Sequence, residues 1–321
     1  MYNSPHLQQL KGTVMGMKTA ALRAGIVWLI VGLAGCDTHQ YGGPAADFAA
    51  ATNLVVQQSK SAFQLVNDTY QREQVASLVA SGDPNQFNPE KIQPFIATAD
   101  LKIRFKLLEA LQAYATGLND LTAKPLASAD TEATALAASI QSLAKNERLQ
   151  HSLRESKNVT AEEINGVAAG LDAIARFLIN HKIDRQLPSI LKAAEPKIEA
   201  IATVLAKEIG DIPGSEQPGG LRDKLWRSYD SLLRDQLKLA RQDQNLADRR
   251  QDLAKLPDLV GQQRSADEAL AATQASLIKL VAAHKALLQV ASNPTGFQAA
   301  IMEVLAEAKD IQMFYDKLPA K

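Results

Sequence analysis

Residues 225–254 read LWRSYDSLLRDQLKLARQDQNLADRRQDLA. Leu225, Leu232, Leu239, Leu246 and Leu253 recur every seven residues, and Trp226, Leu233, Ala240, Ala247 and Ala254 follow each of them by one position. A seven-residue apolar period belongs to a helix that lays one narrow stripe against a neighbouring helix. The remaining positions carry Arg, Asp, Gln and Lys, as a solvated helix surface does. The pattern predicts a single coiled-coil-like helix of about 35 residues, about 50 Å long at 1.5 Å per residue. Four positions after the first four leucines stand Tyr229, Gln236, Asp243 and Arg250. That series is too polar for the second row of a homodimer seam, so the stripe is expected to pack within the chain.

The partner follows directly. Ser265-Ala266-Asp267-Glu268 has the form of a capping box, and Leu270, Leu277, Val281, Leu288 and Ala291 continue on one side. With a short connection near residues 257–264, the two stripes form an antiparallel hairpin. A final helix is expected over 294–318. Upstream, helical periodicity predicts helices over 47–80, 88–122, 129–157, 160 onward and 188–209. Asn88-Pro89 has the form of a cap with proline at the first helical position, and Thr160 and Glu163 form a second capping box. The strongest break is 210–220, with four glycines and two prolines, which is the best lobe boundary, either a linker between independent domains or a long loop on one bundle. The expected architecture is all-α: an elongated multi-helix bundle with an N-terminal lobe over 47–209, a linker over 210–220 and a helical hairpin plus final helix over 221–321.

Composition agrees with helices. Of 321 residues 46% are apolar and only 5% aromatic, with Ala and Leu dominant and a single cysteine. Stability must then rest on close packing of small aliphatic side chains.

The N-terminal segment has a different character. Lys18 and Arg23 precede an apolar run, residues 25–33, which ends in Leu33-Ala34-Gly35-Cys36. The run is shorter than the roughly 20 helical residues needed to cross a bilayer and has the three-part plan of a secretory signal. Residues 17–36 resemble bacterial lipoprotein precursors, and Leu33-Ala34-Gly35-Cys36 resembles their lipobox. The resemblance implies cleavage between Gly35 and Cys36, a diacylglyceryl thioether on the Cys36 sulfur, and acylation (palmitate) of the new amino terminus. It also implies that Asp37 acts as a sorting residue that favours the inner membrane, with the outer membrane as the alternative. Residues 1–35 are then the signal peptide, with a true start at Met15 or Met17, and 36–46 are the lipidated cysteine and a tether. Removing 1–35 leaves 32 basic and 35 acidic residues, a net charge of −3. That balance does not suit a nucleic-acid binder.

Chemistry-bearing motifs are missing from the helical part. There is no Gly-x-Ser-x-Gly elbow, no phosphate-binding glycine loop and no His-Glu-x-x-His. His39 falls in the tether, His151 and His181 on helices without a second His or Cys at one-turn spacing, and His284 on an apolar stripe, where it is expected to be a partly buried packing residue with one hydrogen bond. Glu147 and His151 share a face but lack the remaining residues of a di-iron set. Asn67-Asp68-Thr69 and Asn158-Val159-Thr160 match the glycosylation pattern by chance. No cofactor and no enzyme activity are expected. The expected function is that of an envelope interaction or scaffold protein, held to membrane lipid through Cys36, facing the periplasm and meeting a membrane-proximal protein partner. The alternatives are an immunity or exclusion-type blocking lipoprotein and a helical metal- or ligand-binding protein.

Overall fold

The computed structural model describes residues 41–82, 88–123, 137–138, 140–142, 144–154, 159–180, 187–216, 218–290 and 292–315. Among these residues the fold is all-α. Nine helices succeed one another: α1 (Gly42–Ser81), α2 (Thr98–Ala123), α3 (Glu147–Arg154), α4 (Ala161–Asn180), α5 (Leu187–Ile209), α6 (Gly220–Gln242), α7 (Leu246–Ala254), α8 (Leu256–Leu288) and α9 (Pro294–Tyr315). Helices α1 and α8 are central. The first packs on α2, α6, α8 and α9, and the second also touches α5, α6 and α9.

Helix α1 begins at Gly42, five residues before the expected start. Gly42-Gly43-Pro44 reads as a tether, yet proline in a first turn sacrifices no hydrogen bond, and burial of Ala45 and Phe48 draws this turn into the core. The tether ends at Tyr41 instead of Ala46. Gly82, in the left-handed conformation at φ 70°, closes the helix through its N–H to the Val79 carbonyl.

The second helix also differs from expectation. Asn88 caps only a short 3-10 turn, Pro89–Lys91, and the chain stays non-helical over 92–97 before α2 starts at Thr98. Two side-chain amides of α1 hold this segment. Asn67 Nδ2 donates to the Ile96 carbonyl at 3.0 Å and its Oδ1 accepts from the Ile96 N–H at 2.8 Å. Gln74, two turns on, does the same with Gln93, at 2.7 and 3.1 Å. These amides satisfy backbone groups that a helix would otherwise have paired.

The predicted helix over 129–157 is interrupted at residues 145–146, where Asn146 accepts from the Leu149 N–H and starts α3; residues 129–136 lie outside the described ones. The Thr160–Glu163 capping box forms as expected, with Thr160 N–H to Glu163 at 2.9 Å and Glu163 N–H to Thr160 at 3.3 Å. Helix α5 carries Pro196 without ending.

Residues 210–220 form a loop on a single body, residues 39–321, and do not separate two lobes. Asp211 and Gly219 exchange backbone hydrogen bonds at 3.0 and 3.3 Å and close the loop on itself. Gly220 (φ 75°) lies so close to the end of α5 that a Cβ there would approach the Glu208 carbonyl to 2.4 Å. One hydrophobic core runs through both sides of this loop, with Phe63, Leu205, Leu225, Tyr229 and Leu277 in the same cluster.

The long leucine helix is two helices. Helix α6 stops at Gln242, where the Asp243 N–H bonds to the Leu239 carbonyl at 3.2 Å, and Asn245 caps α7 through the Ala247 N–H at 2.9 Å. Gln242-Asp243-Gln244-Asn245 places an Asp and an Asn where their short side chains compete for backbone groups, and here the local bonds win over the heptad. Leu225 and Leu232 are buried, Leu239 is half-buried, and Leu246 and Leu253 are 57% and 41% exposed. Ser265 does not start a helix. Helix α8 begins at Leu256, with Pro257 in its first turn, and Asp267 pairs with both Arg222 Nε (2.7 Å) and Nη2 (3.0 Å). The hairpin thus exists as α6 on α8, with α7 in the connection. Helix α9 starts at Pro294 as expected, capped by Asn293.

Candidate functional site

Cys36, with Gly35 and Asp37, lies outside the described residues, as do His39 and His181. Among the described residues no helix is long and apolar enough to cross a membrane. Two surfaces and one buried pair remain.

The first surface belongs to the divided leucine stripe. Helix α7 buries no residue and packs on its chain neighbours α6 and α8. Gln236 Nε2 donates to the Asp252 carbonyl at 3.2 Å, and Arg249 donates to the Asp243 carbonyl at 2.6 Å, so polar bonds fold α7 back on the end of α6. Its Leu246 and Leu253 face solvent. A groove of about 640 Å³ lies beside it, between α1 and the end of α6, floored by Val75, Ala76, Leu232, Leu239 and Leu259 and rimmed by Arg72 and Lys255. Val75 and, one turn on, Val79 are themselves exposed at 42% and 58%. An exposed leucine pair beside an aliphatic groove is the kind of surface that receives an apolar side chain from a partner.

The second is a cavity of about 570 Å³ where the 92–97 segment, the end of α5 and the start of α6 meet. At its base Arg104 Nη2 donates to Glu208 Oε1 at 2.5 Å, and both side chains are almost fully buried. Burial pushes the Glu208 carboxyl above the usual range, and the Arg104 charge opposes that shift. Glu208 Oε2 has no donor, and neither has Oδ1 of Asp223, which lines the same cavity and whose other oxygen takes Arg227 Nε at 2.8 Å. Lys224 lies with its ammonium 3.6 Å from the Tyr70 ring centre and 5.5 Å from that of Phe95. Partial burial pushes its pKa down, and the ring faces attract the charged form that remains.

The buried pair is Tyr114 and His284. Tyr114 Oη and His284 Nε2 are hydrogen-bonded at 2.8 Å, and His284 packs edge-on against Phe48. This is the single hydrogen bond expected of His284, which at 1% exposure is more deeply placed than a half-buried packing residue. Its Nδ1 has no protein partner. Burial, with a smaller contribution from Lys285, lowers its pKa to about 4.

His151 stands exposed on α3. Among the described residues no group of three or more His, Cys, Asp or Glu side chains is arranged to hold a metal. Asn67 of the first glycosylation pattern is buried with its amide committed to Ile96, which leaves no place for a glycan.

The Arg104–Glu208 pair escapes a motif search, but each half leaves a trace. Arg104 stands four residues before Leu108 and seven before Leu111, and Glu208 stands four after Val204 and seven after Ile201. Both are charges on an apolar stripe, where an ion survives only if it is paired. Comparisons of the chain with protein families, curated proteins and solved structures find no match.

Proposed function

We propose that the chain is a lipid-anchored protein of the bacterial cell envelope, attached through Cys36 and facing the periplasm, whose helical body is an interaction module for a membrane-proximal protein. The lipobox-like Leu33-Ala34-Gly35-Cys36, after a basic and then an apolar segment, is the observation that carries this reading. The start of α1 at Gly42 supports it. Five residues, 37–41, separate that turn from Cys36 and the span reaches at most about 20 Å, so the anchored body would sit against the membrane. Two or more acyl chains make such attachment stable, at about 0.8 kcal/mol per buried CH₂. Asp37 favours retention in the inner membrane. Exposed Leu246 and Leu253, with the groove beside them, are the surface offered to the partner, and the reading is one of binding and not catalysis.

The test is metabolic labelling with radioactive palmitate in a Gram-negative host. The native chain is expected to take up label and remain with membranes after a high-salt wash, and Cys36→Ser is expected to lose both properties. Unlabelled native protein, or equal labelling of Cys36→Ser, overturns the anchoring.

A further inference from the structure

The cavity above the Arg104–Glu208 pair has the properties of a small-molecule site. Its size, about 570 Å³, lies within the range of ligand pockets. One side is apolar, formed by Phe63, Phe95, Ile96 and Leu221. The charges around it balance: Arg104, Lys224 and Arg227 against Asp100, Glu208 and Asp223. An overall neutral ligand therefore fits better than an ion of either sign.

Two further features fix the polarity of that ligand. Glu208, 4% exposed, lines the cavity with Oε2 lacking any donor, and Asp223 adds a second buried carboxylate oxygen without one. A buried acceptor left without a donor is costly, more so when it carries charge, and both carboxylates belong to residues that line the cavity a donor would enter. Acceptors of the opposite kind are called for nearby. Gly219 caps α6 without any side chain to bond its first N–H groups, and Gly219, Gly220 and Leu221 line the same cavity. The start of a 23-residue helix supplies N–H donors and partial positive charge to a carboxylate.

We infer that this cavity binds a small zwitterion with an apolar side chain, a free amino acid in the simplest case, its ammonium on Glu208 and Asp223 and its carboxylate at the start of α6. The Arg104 guanidinium positions Glu208 by occupying its other oxygen. This site does not depend on lipid attachment, and its test is independent of Cys36.

The experiment is calorimetric titration of the full-length chain in detergent, with a thermal-unfolding series beside it. L-Leucine or L-phenylalanine is expected to bind at one site per chain and raise the unfolding temperature. N-Acetyl-leucine, without the ammonium, and leucinamide, without the carboxylate, should each bind about tenfold or more weakly, the loss of one charge-assisted contact. Glu208→Gln tests the deeper acceptor. Because that variant also weakens a buried ion pair, Asp223→Asn provides the second arm, with an expected loss of about tenfold in leucine affinity at unchanged fold. Absence of heat and of a thermal shift with both amino acids overturns the inference, as does N-acetyl-leucine binding as well as leucine, or unchanged affinity in a folded Asp223→Asn.

Discussion

His284 carries a proton-linked share of stability. In the folded chain it is held neutral, with a pKa near 4, whereas a histidine in the unfolded chain titrates near 6.5. Below that value the unfolded state takes up a proton that the folded state refuses. The contribution is therefore complete above about pH 6.5 and is lost as the pH falls toward 4. The interval corresponds to about 3 kcal/mol. Urea denaturation at pH 7.5 and about pH 4.5 is expected to show the native chain losing about 2–3 kcal/mol more than His284→Gln does. Equal losses would mean that His284 is solvated. The residue also marks how far local sequence reaches. Its place on the 270, 277, 284 stripe identifies it as a packing residue, but its partner Tyr114 stands 170 residues away and has no local signal. Thr160 and Glu163 are the opposite case, since both halves of that cap lie within one turn and are visible in the sequence.

At the scale of the element, the leucine repeat divides into two behaviours. Leu225 and Leu232 are buried on a helix that packs on α1 and α8, while Leu246 and Leu253 lie on a helix that buries nothing. Leu225→Ala is expected to cost about 2–5 kcal/mol, as a cavity in a packed core does. Leu246→Ala and Leu253→Ala should each stay within about 0.5 kcal/mol of the native chain. Chemical denaturation of the three variants checks this, and a Leu246→Ala as damaging as Leu225→Ala would show that α7 is packed in solution. The same pair of exposed leucines is the proposed partner surface, so the double variant should keep its stability and lose its crosslinks to envelope proteins. The five leucines are identical as a pattern. What separates them is the cap at Asn245 and the shallow packing of α7, which buries none of its residues against α6 and α8, and only the second of these is invisible in the chain.

At the scale of the molecule, residues 210–220 decide whether the body is one unit or two. Four glycines and two prolines make a linker in the sequence, but a loop that pairs Asp211 with Gly219 and presses Gly220 on the end of α5 is not a hinge between lobes. Helix α1 packs on both α2 and α6, and α5 packs on α8, so either half alone would expose the face that the other covers. Segments 39–209 and 221–321, expressed separately, are expected to show no cooperative thermal transition by circular dichroism, whereas the whole body shows one. A sharp transition in either half would restore the two-lobe organisation.

The sequence by itself determined the helical class, the capping box at Thr160, the start of α9 and the apolar faces, because each depends on residues within a few turns of one another. The proposed lipid attachment at Cys36 likewise rests on local sequence alone. Only the tertiary structure decided that Asn67 and Gln74 hold residues 92–97 out of helix, that Asp267 pairs with Arg222 instead of starting a helix, and that Arg104 and Glu208 share a cavity floor. Each of those depends on groups brought together from distant positions, where burial and the cost of an unpaired polar atom outweigh local preference.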